Sequence, residues 1–139
     1  MTRFSFEVPL AHLNDFSTEQ DYIFSLSKLY KIPVYQEWIE RMHNEGKVII
    51  LDNSFNEDGY PTSAAELAEI YHTGIVDTVI APDHLDWEIR QTLESANALH
   101  EHGVPKDAII IVVKDDDWTG YYRSCGYSHF AVSFYRRFC

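Results

Sequence analysis

Hydrophobic positions along the chain follow two periods, which predict β-strands that alternate with α-helices. The segment Arg3 to Val8 alternates large apolar and polar residues, a pattern typical of a half-buried strand. Apolar runs at 47–52, 77–82 and 108–113 predict three more strands, and the last is mostly β-branched, as in a strand buried on both faces of a parallel sheet. A fifth strand is predicted at 129–134.

Helical spacing of apolar residues between these strands predicts the connecting helices. Ser63, three residues before Glu66, forms a capping-box arrangement, and Asp115 can begin a short helix that Gly126 ends. The predicted helices cover residues 19–30, 33–46, 63–71, 85–102 and 115–126.

The alternation of strands and helices implies right-handed crossovers, and therefore an α/β fold with a parallel sheet of about five strands. We expect one domain over residues 1–139, because this length buries one core and no low-complexity linker divides the chain. A closed (β/α)8 barrel takes about 250 residues, so the chain predicts either part of a TIM barrel or an open sheet. In both cases the exposed sheet edges predict self-association or a complementing chain.

Composition narrows the class of protein. The apolar residues form no run near the roughly 18 that a membrane span requires, and the N-terminus has no secretory apolar region. A cytoplasmic protein without membrane contact is therefore expected. Cys125 and Cys139 have neither the spacing of metal ligands nor the secretory context of a disulfide framework, so neither a metal nor another cofactor is predicted.

The formal net charge of -11 argues against non-specific binding to a phosphate backbone, which requires a basic surface. The charge is uneven, however. Residues 114–139 carry four basic and three acidic side chains, which leaves -12 on residues 1–113. This basic cluster suits one anionic small molecule, and a solvated surface is the alternative interpretation.

Two aspartates stand where apolar strands stop. Asp52 ends the predicted strand 47–52, and Asp83 directly follows the strand 77–82. Because the carboxyl ends of parallel strands meet at one edge of a sheet, both side chains are expected at a shared mouth, where α/β proteins form their sites. The alternative is that each aspartate caps the following helix or forms a turn. The polar and bulky residues that follow each aspartate favour a site for a flat polar ligand.

These strand ends resemble a known family. Leu51-Asp-Asn-Ser-Phe55 is similar to the strand-end Asp-Ser-Gly-Gly-Phe-Gln segment of the queuine and archaeosine tRNA-guanine transglycosylases, and Ile80-Ala-Pro-Asp83 resembles their next strand-end aspartate. The opening segment Phe4 to Pro9 is similar to phage and bacterial paralogues that act on deazaguanines in DNA. The resemblance follows residues 3–135 in element order and concerns the N-terminal part of that family.

The resemblance implies a TIM barrel in which two aspartates bind the Watson–Crick edge of guanine or a 7-deazaguanine, while a third attacks the ribose. Asp52 and Asp83 would be the base-binding pair, and they are the candidate catalytic residues. A carboxylate suits this task because it accepts charge-assisted hydrogen bonds from the ring N–H and the exocyclic amine. The candidate ligand-binding residues are Glu7, Asn53, Ser54, Phe55, His84, Lys114, Arg123 and Arg136, of which Lys114, Arg123 and Arg136 suit phosphates.

The sequence also departs from the family. Asn53 and Ser54 replace the paired glycines, and neither the late-strand nucleophile nor the Cys/His zinc cluster has a counterpart. One hypothesis is a pentosyltransferase part that exchanges a base on tRNA or DNA, with missing elements supplied by another chain. The alternative is a non-catalytic, phage-like module that sequesters or senses a purine nucleotide. Nucleic-acid binding is expected only with additional elements.

Overall fold

The structure is a computed structural model that describes residues 5–7, 22–54 and 60–132. Strands and helices alternate along these ranges. The strands are β1 (Ser5–Glu7), β2 (Tyr22–Leu26), β3 (Val48–Asp52), β4 (Thr78–Ile80), β5 (Ile109–Val113) and β6 (His129–Val132). The helices are α1 (Pro33–Asn44), α2 (Ala64–Tyr71), α3 (Ile89–Glu101) and α4 (Asp116–Ser124), with short 3-10 helices at Ser27–Leu29 and Lys106–Ala108.

All strand pairs described are parallel, and the strands lie side by side in chain order from β1 to β6. The register places Ile50 beside Thr78 and Leu51 beside Val79, so β3 and β4 end at the same edge of the sheet. The prediction of an α/β fold built from βα units is therefore confirmed.

The helices cover one face of the sheet. Burial alternates residue by residue along β2, β3 and β5, and the fully buried strand residues share one hydrophobic cluster with the inward residues of the helices. Crossovers of one hand that all advance in the same direction across a sheet place their helices on the same side. The strand residues of this cluster include Ile23, Ile49, Leu51, Val79, Ile109 and Ile111.

The opposite face of the sheet is less deeply buried. Its apolar side chains line a groove of about 570 Å3, which includes Tyr22, Val48, Ile50, Ile110 and Phe130. Within the described residues the sheet does not close, because β1 pairs only with β2 and β6 only with β5. The sequential strand order is that of a (β/α) barrel, while barrel closure and self-association stay predictions.

The prediction of a helix over residues 19–30 is wrong in the part of that segment which the structure describes. Tyr22–Leu26 is a strand, because pairing with β1 on one side and β3 on the other overrides the local helical spacing. Buried Ser25 fits this arrangement, since its Oγ accepts from the Tyr30 hydroxyl at 2.7 Å and donates to the Ile50 carbonyl at 2.9 Å. The described sheet consequently has six strands.

Helix starts follow the polar residues that the sequence supplies. Ser63 is the N-cap of α2 and accepts from the Glu66 amide at 3.2 Å, and Asp115 caps α4, so both predicted starts are confirmed. Helix α3 begins later than predicted, because Glu88 and Gln91 form its capping box. None of the helices in the described ranges has the length and apolar character needed to cross a bilayer.

Replacing Ser25 with Ala tests the strand at residues 22–26. We expect the free energy of unfolding to fall by about 1–3 kcal/mol, because the buried Tyr30 hydroxyl loses its acceptor. The matched control is Ser124→Ala, an exposed serine that also donates to a backbone carbonyl, which we expect to change stability by less than about 0.5 kcal/mol. Urea unfolding measures both, and equal small losses would contradict the buried network.

Candidate functional site

The two strand-end aspartates lie on neighbouring strands. Asp52 is the last residue of β3, and Asp83 lies three residues beyond β4. Neither caps a helix, because the N-caps of α2 and α3 are Ser63 and Glu88. The helix-cap alternative for the two aspartates is therefore wrong.

Asn53 connects the two strand ends. Its Nδ2 donates to the Asp83 Oδ1 at 2.6 Å and to the Ala81 carbonyl at 2.8 Å, and only 1% of the residue is exposed. A buried amide that uses both of its protons in this way holds its partners in a fixed arrangement. Asn53 directly follows Asp52, so its hydrogen bond to Asp83 links the end of β3 to the loop after β4.

Burial dominates the electrostatics of Asp83. Loss of hydration raises the pKa of its carboxyl above the usual value, while the hydrogen bond from Asn53, the positive charge of Lys114 and the His84 side chain offset part of that rise. A carboxyl group with a raised pKa exchanges its proton at a higher pH than an exposed aspartate does. Such perturbed groups cluster at binding and catalytic sites.

Two aromatic rings lie near His84, the residue that directly follows Asp83. The His84 ring centroid is 6.1 Å from the ring of Tyr60 and 6.0 Å from the ring of Trp87. The Asp86 amide donates to His84 Nδ1 at 3.1 Å, which leaves Nε2 to carry the proton in the neutral ring. Tyr60 is 75% exposed, so a ligand can contact both its apolar ring and its polar hydroxyl group.

Ser54 is part of a hydroxyl network rather than an open surface. It is fully buried with a positive φ of 61°, a backbone conformation that favours glycine. Its Oγ accepts from the Lys28 amide at 3.2 Å and lies 2.9 Å from the Ser27 Oγ, which in turn lies 2.6 Å from the Thr62 Oγ1. The network ties the end of β3 to the segment after β2 and to the start of α2.

Sequence reasoning did not identify Ser27 and Thr62. They lie 27 and 8 positions from Ser54 in the sequence, and isolated hydroxyl residues carry no motif. Together with Lys28 and Lys31 they line a groove of about 510 Å3. Only the register of β2 with β3, which the helical pattern at 19–30 concealed, brings these residues together.

The candidate phosphate-binding residues are not gathered in one place. Lys114 follows β5 and donates to carbonyl oxygens of the loop between β4 and α3. Arg123 lies in the last turn of α4, at the opposite end of that helix from Asp115, and its guanidinium lies 5.7 Å from the Phe130 ring centroid. Phe55 and Arg136 lie outside the described residues, as does the side chain of Glu7.

Comparisons with known proteins add no relative. The sequence matches no protein-family model, and the searches of curated proteins and of solved structures give no match. In the described part of the chain, no group of three or more His, Cys, Asp or Glu residues has an arrangement that could hold a metal ion. The candidate site therefore rests on its own geometry.

Replacing Asp83 with Asn tests the raised pKa of this partly buried carboxyl. Because its folded-state pKa is raised above 3.8, the stability it contributes is fully present below that pH and is lost as the pH rises through the folded-state pKa. An amide does not titrate, so we expect Asp83→Asn to gain stability relative to the wild type as the pH rises above 3.8.

Urea unfolding at several pH values measures this difference. The control is Asp107→Asn, which removes an exposed carboxylate. Parallel pH dependence of the two variants would refute the assignment of a raised pKa to Asp83.

Proposed function

We propose that the edge formed by the ends of β3 and β4 binds a guanine or 7-deazaguanine type base. The observation that carries this proposal is the bond from Asn53 to Asp83, because it fastens the segment after Asp52 to the second carboxyl. Two carboxyl groups on neighbouring strand ends suit a ligand whose donors lie side by side on one edge. The resemblance of both strand ends to the transglycosylases supports the same class of ligand.

The chemistry of Asp83 suits this role. A ligand that presents an N–H group to a partly dehydrated carboxylate forms a stronger bond than it would in water. Asn53 leaves the second carboxyl oxygen of Asp83 for other partners, since its amide is bound to Oδ1. Asp52 would provide the second acceptor from the end of the adjacent strand.

The rings near His84, which directly follows Asp83, favour a planar ligand. The His84 ring centroid lies 6.1 Å from that of Tyr60 and 6.0 Å from that of Trp87. Stacking of a base on an aromatic side chain contributes about 1–3 kcal/mol and does not depend on which base is bound. In this proposal the carboxyl groups determine which base is accepted, and the rings supply affinity.

Recognition is the part of the activity that these residues support. Base exchange, as the resemblance implies, requires a further carboxylate to attack the ribose, and both Asp52 and Asp83 are assigned to the base. The proposed function is thus purine-base recognition, either within a larger exchange enzyme or in a module that holds a nucleotide without turnover.

Calorimetric titration with guanine and with 7-cyano-7-deazaguanine tests the proposal. We expect the wild type to bind at least one of them, and Asp52→Asn and Asp83→Asn each to weaken binding by about tenfold or more, as expected for loss of a hydrogen bond to a charged group. Adenine, which presents a different edge, should bind more weakly than guanine.

The control variant is Asp107→Asn, which should bind as the wild type does. Thermal unfolding of every variant verifies that the chain remains folded. Absence of binding by the wild type, or undiminished binding by both site variants, would reject purine recognition at this edge.

A further inference from the structure

Lys114 lies at a junction of three elements. It directly follows β5, and its Nζ donates to the carbonyl oxygens of His84 at 3.1 Å and Leu85 at 2.6 Å, and also to that of Trp87. These carbonyls belong to the loop between β4 and α3, about 30 positions earlier in the sequence. The Nζ also lies 5.4 Å from the ring centroid of Trp118 in α4.

The three carbonyl groups turn toward a single cation. A lysine ammonium has three protons and no acceptor, so it can satisfy several carbonyl oxygens from one point. Without the cation, these three carbonyl oxygens would lose the donor that they share. The ammonium is therefore suited to hold the loop closed, and a ligand phosphate would have to compete with these carbonyls.

The loop that Lys114 holds carries the proposed site. It contains Asp83 together with the rings of His84 and Trp87, whose centroids are 6.0 Å apart. Within the loop the Trp87 amide donates to the His84 carbonyl at 3.1 Å and the Asp86 amide donates to His84 Nδ1. Lys114 thus contacts the backbone of His84 and Trp87, the two residues of this loop whose rings lie near each other.

We propose that Lys114 is a positioning residue, which fixes the loop after β4 so that Asp83, His84 and Trp87 keep their arrangement at the site. This inference rests on the proposed function for its effect on ligand binding, but its effect on the loop does not depend on any ligand. The role differs from the phosphate contact that the sequence predicts for Lys114.

A second lysine provides a matched control. Lys106 precedes β5 as Lys114 follows it, donates to the Cys125 carbonyl at 2.9 Å, and has its Nζ 5.2 Å from the ring centroid of Tyr127. Both lysines thus combine a carbonyl contact with an aromatic ring. Only Lys114 contacts the loop after β4, so the pair separates a local effect on the site from a general loss of stability.

The first measurement is amide hydrogen exchange in the full chain without ligand. In Lys114→Met the amides of Asp86 and Trp87 should exchange faster than in the wild type, whereas in Lys106→Met they should keep wild-type rates. Lys114→Arg is a second variant, which keeps the charge but spreads its donors over a planar fork. Lys114→Arg should also speed amide exchange in the loop. If Lys114→Met does not fold, this variant tests the positioning role of Lys114.

The second measurement is the titration of Asp83, followed by carbon NMR of its carboxyl. The side chains that act on its carboxyl are Lys114, which follows β5, and His84 on its own loop, while Asn53 donates to it. Loss of the Lys114 charge should raise the pKa of Asp83 further, while Lys106→Met and Lys114→Arg should leave it near its wild-type value.

The third measurement compares the binding of guanine with the binding of guanosine 5′-monophosphate. A positioning role predicts that Lys114→Met weakens both by a similar factor, about tenfold or more. Loss of nucleotide binding with unchanged guanine binding would instead assign Lys114 to the phosphate and overturn the proposal. Loop exchange and Asp83 titration equal to those of Lys106→Met would also overturn it. If the wild type binds neither ligand, purine recognition fails, and the first two measurements still decide the role of Lys114.

Discussion

Parallel pairing of consecutive strands in chain order is the constraint on which this structure depends. Each strand must return through a crossover before it can pair with its predecessor, and all the crossovers advance in one direction. The helices therefore gather on one face, where they share a core with the strands. The same constraint brings the residues that follow every strand to one edge. The site is a consequence of the topology before any particular side chain is considered.

Several residues at that edge are both polar and buried, so each of them requires a hydrogen-bond partner. Asn53, Ser27 and Ser54 are all buried, and each has a hydrogen-bond partner on a different segment. An unpaired polar group in such a place would cost about 1–3 kcal/mol. The strand ends are consequently held together by the same bonds that hold Asp83 in position. Stability and the arrangement of the site have a common physical origin here.

The sequence predicts most of the fold because apolar runs and helix caps are local signals. The runs at 47–52 and 108–113 become strands, and Ser63 caps its helix as its spacing indicates. Local signals do not predict the segment at 22–26, because its apolar residues fit both the helical and the strand period. Only pairing with β1 and β3 selects the strand.

The candidate site also combines features that are local in the sequence with features that depend on distant residues. The positions of Asp52 and Asp83 at strand ends are readable from the chain, because a strand end is a local feature. The partners of Asn53, Ser27 and Lys114 are not, because each bond joins residues about 27 to 35 positions apart. No periodicity encodes such a contact. It depends on strand register, which the sequence does not specify one residue at a time.

The two lysines around β5 show how topology assigns different roles to the same chemistry. Lys106 and Lys114 each pair a backbone carbonyl with an aromatic ring, and they differ mainly in the end of the strand at which they lie. At the beginning of β5 the carbonyl belongs to the turn that follows α4, so the contact only joins elements. At its end the carbonyls belong to the loop that contains the partly buried carboxyl of Asp83. In the role proposed for Lys114, a displacement of the ammonium would alter the positions of Asp83 and of the His84 and Trp87 rings, because the backbone of that loop is the acceptor.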